Sequence, residues 1–329
     1  MNRYDIYGVG AALVDTEIKV SDDDLSRLGI EKGLMTLVDE ERQVELLRQL
    51  QDHLVHSQLA CGGSAANSII AANHFGSRTY LSCKVANDEH GQFFLGDLRR
   101  TGVDVHARNG SADGTTGKCL VMITADAERT MNTFLGVSET LGIDDIDETA
   151  LAQSRYLYLE GYLVTSASGK PAAIAATELA RRNGVQIALS LSDPGIVQYF
   201  KAGLREIVGS GVDLLFCNEA EALAFTEEKS LENACSALKH CARSFAITCG
   251  ARGALVFDGQ RQYSLAAEAV KAVDTNGAGD MFAGAFLHAI ARGFDYERAA
   301  LFANRAAAQV VTQYGPRLTR EQCQQLTQP

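Results

Sequence analysis

Beyond Arg78 the chain alternates between apolar, strand-like runs and helix-like ones, and this alternation limits the folds open to it. A strand-like segment over 78–85 precedes a helix-like one over 90–102. Segments 155–159, 185–191 and 212–217 each lead into a helical pattern, over 171–183, 196–208 and 219–225. Strands that are apolar along their whole length, each followed by a helix, belong to a parallel sheet covered on both faces. The 329 residues suffice for one large domain, or one domain with an appendage. Only four Pro, and no linker, low-complexity tract or repeat, fit a continuous fold.

The first 140 or so residues interrupt the alternation. Residues 4–13 read as a buried first strand, with Asp15 at its end, where open α/β sheets place ligand contacts. Gly8 and Gly10 begin a dinucleotide fingerprint, but Leu13 stands where the third Gly is needed. Segments 17–20, 34–38, 118–124 and 129–135 are short and strand-like. They read as a small β lid contributed in two pieces, or as peripheral hairpins. Residues 40–54 form an amphipathic helical pattern. Gly62-Gly63-Ser64 opens a second helix over 65–73, with Ser64 a good N-cap and Asn67 able to present an amide to a diol.

Residues 271–290 carry the chemistry most openly. Gly277, Ala278 and Gly279 precede Met281, Phe282, Ala285, Phe286, Ala289 and Ile290, which recur at helical spacing. Small residues at a helix start leave the first N–H groups uncovered, and the dipole adds positive charge there. An anion can sit on such an end. Asp280, in the first turn, is placed to take a proton from a hydroxyl while the N–H groups steady a transferring phosphoryl group. A Gly-rich loop before a core helix, with Asp280 complementing the dipole, explains this stretch alone equally well.

Asn218-Glu219-Ala220-Glu221 follows an apolar strand, where Asn and carboxylates can organise Mg²⁺ or simply favour a helix N-terminus. Thr248-x-Gly250-x-x-Gly253 is a glycine turn, suited to a nucleotide or to a tight hairpin. Asn304 lies in the last helical pattern, 296–312. Gly114 to Cys119 imitates a P-loop but lacks its first Gly, ends in Cys, and precedes a strand.

The net charge of −11 argues against nucleic acid as a partner. No apolar run approaches the ~18 residues of a membrane span, and Met1 to Gly10 lacks a signal-peptide pattern. The eight Cys form no C-x-x-C pair and lie mostly in apolar runs, which reads as buried free thiols in a reducing cytoplasm.

Two motifs, Cys61-Gly62-Gly63-Ser64-Ala65-Ala66-Asn67-Ser68 and Asp274-Thr275-Asn276-Gly277-Ala278-Gly279-Asp280, resemble the paired signatures of the ribokinase-type (PfkB) sugar and nucleoside kinases, in the same order. The resemblance implies a three-layer α/β/α core with a mainly parallel sheet over 1–15, 40–116 and 137–329. A discontinuous β lid would span 16–39 and 117–136. It implies ATP and Mg²⁺, with K⁺ in many members. It places Asp280, Gly277, Ala278 and Gly279 at the reacting phosphoryl group. Substrate would meet Asp15, Gly63, Ser64, Asn67, Arg129, Met131, Asn276 and Asp280. Nucleotide would meet Asn218, Glu221, Thr248, Gly250, Gly253 and Asn304, and metal ions Glu221 and Asp274.

Within the family the chain is most similar to adenosine kinases, through Asn276, Gly161 to Thr165, and the run from Leu191 to Lys201. It departs from them at Gly195, where an aromatic is usual, and near Met35, where a Gln is. With no Trp, a base would have to sit among Tyr162, Phe134, Met131 and Leu135. A sugar acceptor is the alternative, and a non-catalytic relative is argued against by Asp280. The expected form is a monomer, or a homodimer through the lid.

Overall fold

The computed structural model describes residues 3–51, 58–106 and 109–327. The chain starts with β1 (Tyr4–Val9), β2 (Leu13–Lys19), α1 (Asp22–Leu28), β3 (Met35–Leu37), α2 (Glu40–Gln49) and β4 (Gln58–Gly62). Next come α3 (Ser64–His74), β5 (Thr79–Ser82), α4 (Glu89–Thr101), β6 (Asp104–Val105) and the hairpin β7 (Thr116–Ile123) and β8 (Arg129–Gly136). Regular alternation follows: α5 (Glu148–Ala152), β9 (Ser154–Glu160), α6 (Gly169–Arg182), β10 (Gln186–Ser190), α7 (Pro194–Val208), β11 (Val212–Asn218), α8 (Glu219–Thr226), α9 (Leu231–Leu238) and β12 (Ala242–Thr248). The chain ends with β13 (Ala254–Phe257), β14 (Gln262–Leu265), α10 (Ala278–Ala291), α11 (Tyr296–Val310) and α12 (Arg320–Thr327).

The central sheet runs β14-β13-β12-β11-β10-β9-β1-β5-β6. It is parallel except where β13 and β14 turn back antiparallel. Alternate side chains feed two cores, as the strand period of two requires. Tyr156 and Tyr158 pack with α3, α10 and α11 on one face. Leu157 and Leu159 pack toward α6 and α7 on the other. This is the ribokinase-like α/β fold, with a second sheet beside it.

That second sheet has the order β3-β8-β7-β2-β4. One face carries Ile18, Leu120 and Met122, which α1 and α2 cover with Leu25, Leu28, Leu46 and Leu50. The opposite face carries Leu13, Cys119, Met131 and Leu135. Its make-up corrects the sequence expectation in two places. Residues 4–13 are not one strand: Ala11 N–H leaves the ladder to donate to Glu160 Oε1 at 2.7 Å. Asp15 therefore lies within β2 rather than after the first core strand. Residues 58–62, expected in the core, form β4 and pair antiparallel with β2. Gln-Leu-Ala-Cys-Gly has no alternation that would have announced a strand.

Helix α2 covers most of the predicted 40–54, and 52–54 lie outside the described residues. The pattern over 296–312 is not the last helix, since α12 follows it. The eight Cys are free thiols, six of them buried. Among the described residues no helix is long and apolar enough to cross a membrane.

Candidate active site

The second sheet and the carboxyl ends of the central strands enclose a cleft of about 480 Å³. Sheets of this type place ligands at such strand ends. Helix α10 points its N-terminus into the cleft, and Gly277, Ala278, Gly279 and Asp280 line it. Gly277 caps the helix at φ 73° and makes no side-chain cap hydrogen bond. A Cβ there would lie 2.5 Å from Pro316, so only glycine brings the loop this close. A Cβ on Gly279 would meet nothing within 4 Å, because it faces the open cleft. The Ala278 N–H donates to the Thr275 carbonyl at 3.3 Å, and the next N–H groups, of Gly279 and Asp280, are placed for an anion.

Asp280 is held from α3. Ser64 Oγ donates to its Oδ1 at 2.6 Å, and Asn67 Nδ2 donates to its Oδ2 at 3.1 Å. Ser64 is thus not the helix cap that its position allows; Gly63 caps α3. Burial raises the Asp280 pKa, while Ser64, Asn67 and the positive charges of Arg129 and Arg317 pull it down. A carboxylate raised above its usual range is a better proton acceptor than an exposed one.

Asp15 is 5% exposed, and its Oδ1 has no partner among the described residues although it faces the cleft. Burial, aided by Glu17 and Asp280, raises its pKa well above the usual range. A buried acceptor left open is costly unless a ligand completes it. The row Asp15, Cys119, Thr133 and Leu37 runs across β2, β7, β8 and β3 in register. Met35 pairs with Met131 in the next row. The pleat thus turns Asp15, Leu13, Met35, Arg129, Met131 and Leu135 onto the cleft side. Phe134, one residue out of phase, is not on the cleft wall. The Arg129 guanidinium has no hydrogen bond or ion pair with another described residue, and Tyr162, Asp193 and Asp280 contribute to its field.

At the far end Asn218 and Glu221 form a reciprocal cap on α8. Asn218 Oδ1 accepts from Glu221 N–H at 2.8 Å, and Asn218 Nδ2 donates to Glu221 Oε1 at 2.6 Å. Both line the cleft, with Thr248 and Gly250 beside them. Burial pushes Glu221 up to about 7. The glycine turn is both a hairpin, between β12 and β13, and part of the cleft wall.

Besides Phe134, three predicted residues do not reach the cleft wall. Gly253 sits where the backbone of Leu265 to Ala267 passes closely. Asn304 donates to the Leu265 and Ala266 carbonyls at 3.2 and 3.4 Å. Asp274 is fully buried behind the loop, accepting from Asn276 N–H at 2.8 Å and Gly315 N–H at 3.1 Å. Asn276 does line the cleft and is fixed by Glu17 Oε1 at 3.0 Å.

Sequence reasoning missed Glu160, Asp193 and Arg317. Glu160 accepts from the N–H groups of Ala11 and Ala65, both at 2.7 Å, joining the two chain segments that carry Asp15 and Asn67. Asp193 is buried on the cleft wall and caps α7. No local motif marks Glu160 or Arg317, and the Asp193-Pro194 pair signals only a helix start.

The profile of the pfkB family carbohydrate kinases matches residues 34–323. The chain belongs to this family. Its members are phosphotransferases with an alcohol acceptor. A solved structure of a probable sugar kinase from Rhizobium etli CFN 42 superposes with a TM-score of 0.92, at 31% identity, over 99% of both chains. Adenosine kinase from Sinorhizobium meliloti gives a TM-score of 0.92 at 32% identity, over 98% of this chain and 99% of that one. Ribokinase from Haemophilus influenzae is 28% identical over 78% of this chain and 83% of its own. The pfkB kinase fold thus comes with relatives of both sugar and nucleoside specificity.

Proposed function

We propose that this pfkB kinase transfers the γ-phosphoryl group of ATP to the primary hydroxyl of a nucleoside, adenosine foremost. The observation that carries the choice of a nucleoside is the apolar stretch of the cleft. Leu13, Met35, Met131 and Leu135 of the second sheet line it together with Tyr162. A sugar, polar all round, would leave these side chains unmatched. A flat base buries against them, gaining about 25 cal/mol for each Å² of apolar area removed from water. Tyr162 supplies the ring that Gly195 does not.

In this reading Asp15 and Asn67 take the ribose hydroxyls. Asp280 accepts the proton of the attacking hydroxyl, and the N–H groups of Gly277, Gly279 and Asp280 hold the transferring group in line. Arg129, unpaired within the cleft, meets the phosphates. Thr248 and Gly250 border the nucleotide. No trio of His, Cys, Asp or Glu among the described residues makes a ready cage for a metal. That donor set suits Mg²⁺ brought in on the phosphates and reached by Asn218 and Glu221 through waters. When bound, Mg²⁺ neutralises charge on the phosphate oxygens. Asp274 braces the anion-hole loop; a K⁺ ion beside it belongs to the same proposal. Because α1 and α2 already cover the outer face of the second sheet, the enzyme needs no partner copy there and works as a monomer.

The test is ATP consumption with adenosine, inosine, guanosine, ribose, fructose and 2-keto-3-deoxygluconate, with Mg²⁺, with and without K⁺. Adenosine is expected to give the strongest signal. Turnover of a sugar with no nucleoside activity would overturn the nucleoside reading and leave a carbohydrate kinase.

A further inference from the structure

Arg317 lies between α11 and α12, far in sequence from the cleft, and is mostly buried. Its Nε donates to Asn67 Oδ1 at 2.8 Å, its Nη1 to Asp97 Oδ2 at 2.7 Å, and its Nη2 to the Cys61 carbonyl. The Arg317–Asp97 ion pair is itself only 15% and 20% exposed at the two side chains. All three directions of the guanidinium fork are thus used, which fixes its plane. The consequence reaches Asp280. A primary amide has a donor end and an acceptor end of nearly equal shape. With its oxygen held by Arg317, the Asn67 amide can only present Nδ2 to Asp280 Oδ2.

We propose that Arg317 is a positioning residue for phosphoryl transfer, acting through Asn67 to keep a donor facing the Asp280 carboxylate. Without Arg317 the amide is free to turn its oxygen toward Asp280, replacing an attraction by a repulsion. The carboxylate would lose one of its two side-chain donors and a nearby positive charge. Both losses disfavour the charged form that accepts the proton.

The other groups facing Asp280 stay in place. They are Ser64 on α3, Arg129 on β8, Asp15 on β2, Tyr158 and Glu160 on β9, and Tyr162 after it. The charge of Asp280 in turn raises Asp15 and Glu160, which burial already pushes up.

The proposal rests on Asp280 being the proton acceptor. The experiment is the pH profile of kcat for Arg317→Gln, measured with the best acceptor of the panel. The acid limb should move up by about half a pH unit or more, and kcat should fall by roughly 10-fold, less than the ~10²–10⁴ of a whole general base. KM for the acceptor should change less than kcat. In an Asn67→Ala background, Arg317→Gln should give a smaller shift of the limb, that of the lost positive charge alone. A folded Arg317→Gln enzyme whose acid limb stays at the parent position would overturn the proposal, as would an undiminished shift in the Asn67→Ala background. If Arg317→Gln does not fold, Arg317→Lys, which keeps the charge against Asp97 but offers a single point donor, is read in the same way. Asp280→Asn separates the two levels. If that variant stays active, the proton-acceptor reading fails. If it is inactive while the limb of Arg317→Gln does not move, only the positioning role fails.

Discussion

Gly277 meets two demands that no other residue meets together. Its φ of 73° lies where side chains are strained, and the space a Cβ would take is filled by Pro316. Gly277→Ala should therefore destabilise the fold by about 1–3 kcal/mol, the cost of a strained backbone position. It should also lower turnover, because the loop whose N–H groups face the cleft has to move. Thermal unfolding and kcat together test this; an alanine variant with parental stability would contradict the crowding. At this scale much of the site was legible. Gly277 to Asp280 announce themselves as a small-residue helix start followed by a carboxylate. What Ser64 and Asn67 do was not legible, because both a cap and a diol ligand suit those residue types. Their hydrogen bonds to Asp280, across 216 and 213 residues of sequence, are a contact that neither reading contained.

Among the elements, β9 has a part that its sequence conceals. Residues 155–159 read as an ordinary buried strand, yet the residue that ends β9 just beyond them, Glu160, ties the chain before β2 to the start of α3. Burial raises the Glu160 pKa from 4.5 to about 7, against the pull of the Ala11 and Ala65 N–H groups. The folded state then holds this proton more tightly than the unfolded chain. Its contribution is fully present below about pH 4.5, declines as the pH rises to about 7, and is level above that. Glu160→Gln, which cannot titrate, should remove this part of the slope. The variant should thus compare worst with the parent near pH 5 and best near pH 8 in chemical denaturation. A stability difference that does not change with pH would contradict the assignment. The second sheet shows the opposite limit of sequence reading. Four of its strands were foreseen as short strand-like segments, β2 only over its last residues, but β4 was not, and its five residues pair with β2.

For the molecule as a whole, the strand–helix alternation after Arg78 was sufficient to foresee a parallel sheet covered on both faces, because each strand is apolar enough for two cores. The cleft is a product of the complete fold. It takes Asp15 and Arg129 from the second sheet and Asp280 from a helix packed on the central one. The chain carries a net charge of −11, so the anionic cosubstrate of the proposed reaction would depend on local features such as the α10 N-terminus and Arg129. Arg317 joins this assembly from 250 residues beyond Asn67, a distance at which no motif could signal it. Every part of this arrangement converges on one carboxylate. The most direct test is the turnover of Asp280→Asn against the parent, with acceptor binding measured separately by calorimetry. The account predicts kcat lower by roughly 10²–10⁴ with acceptor affinity largely kept. Turnover near the parental rate would contradict it, and would mean that this cleft moves the proton by some other group.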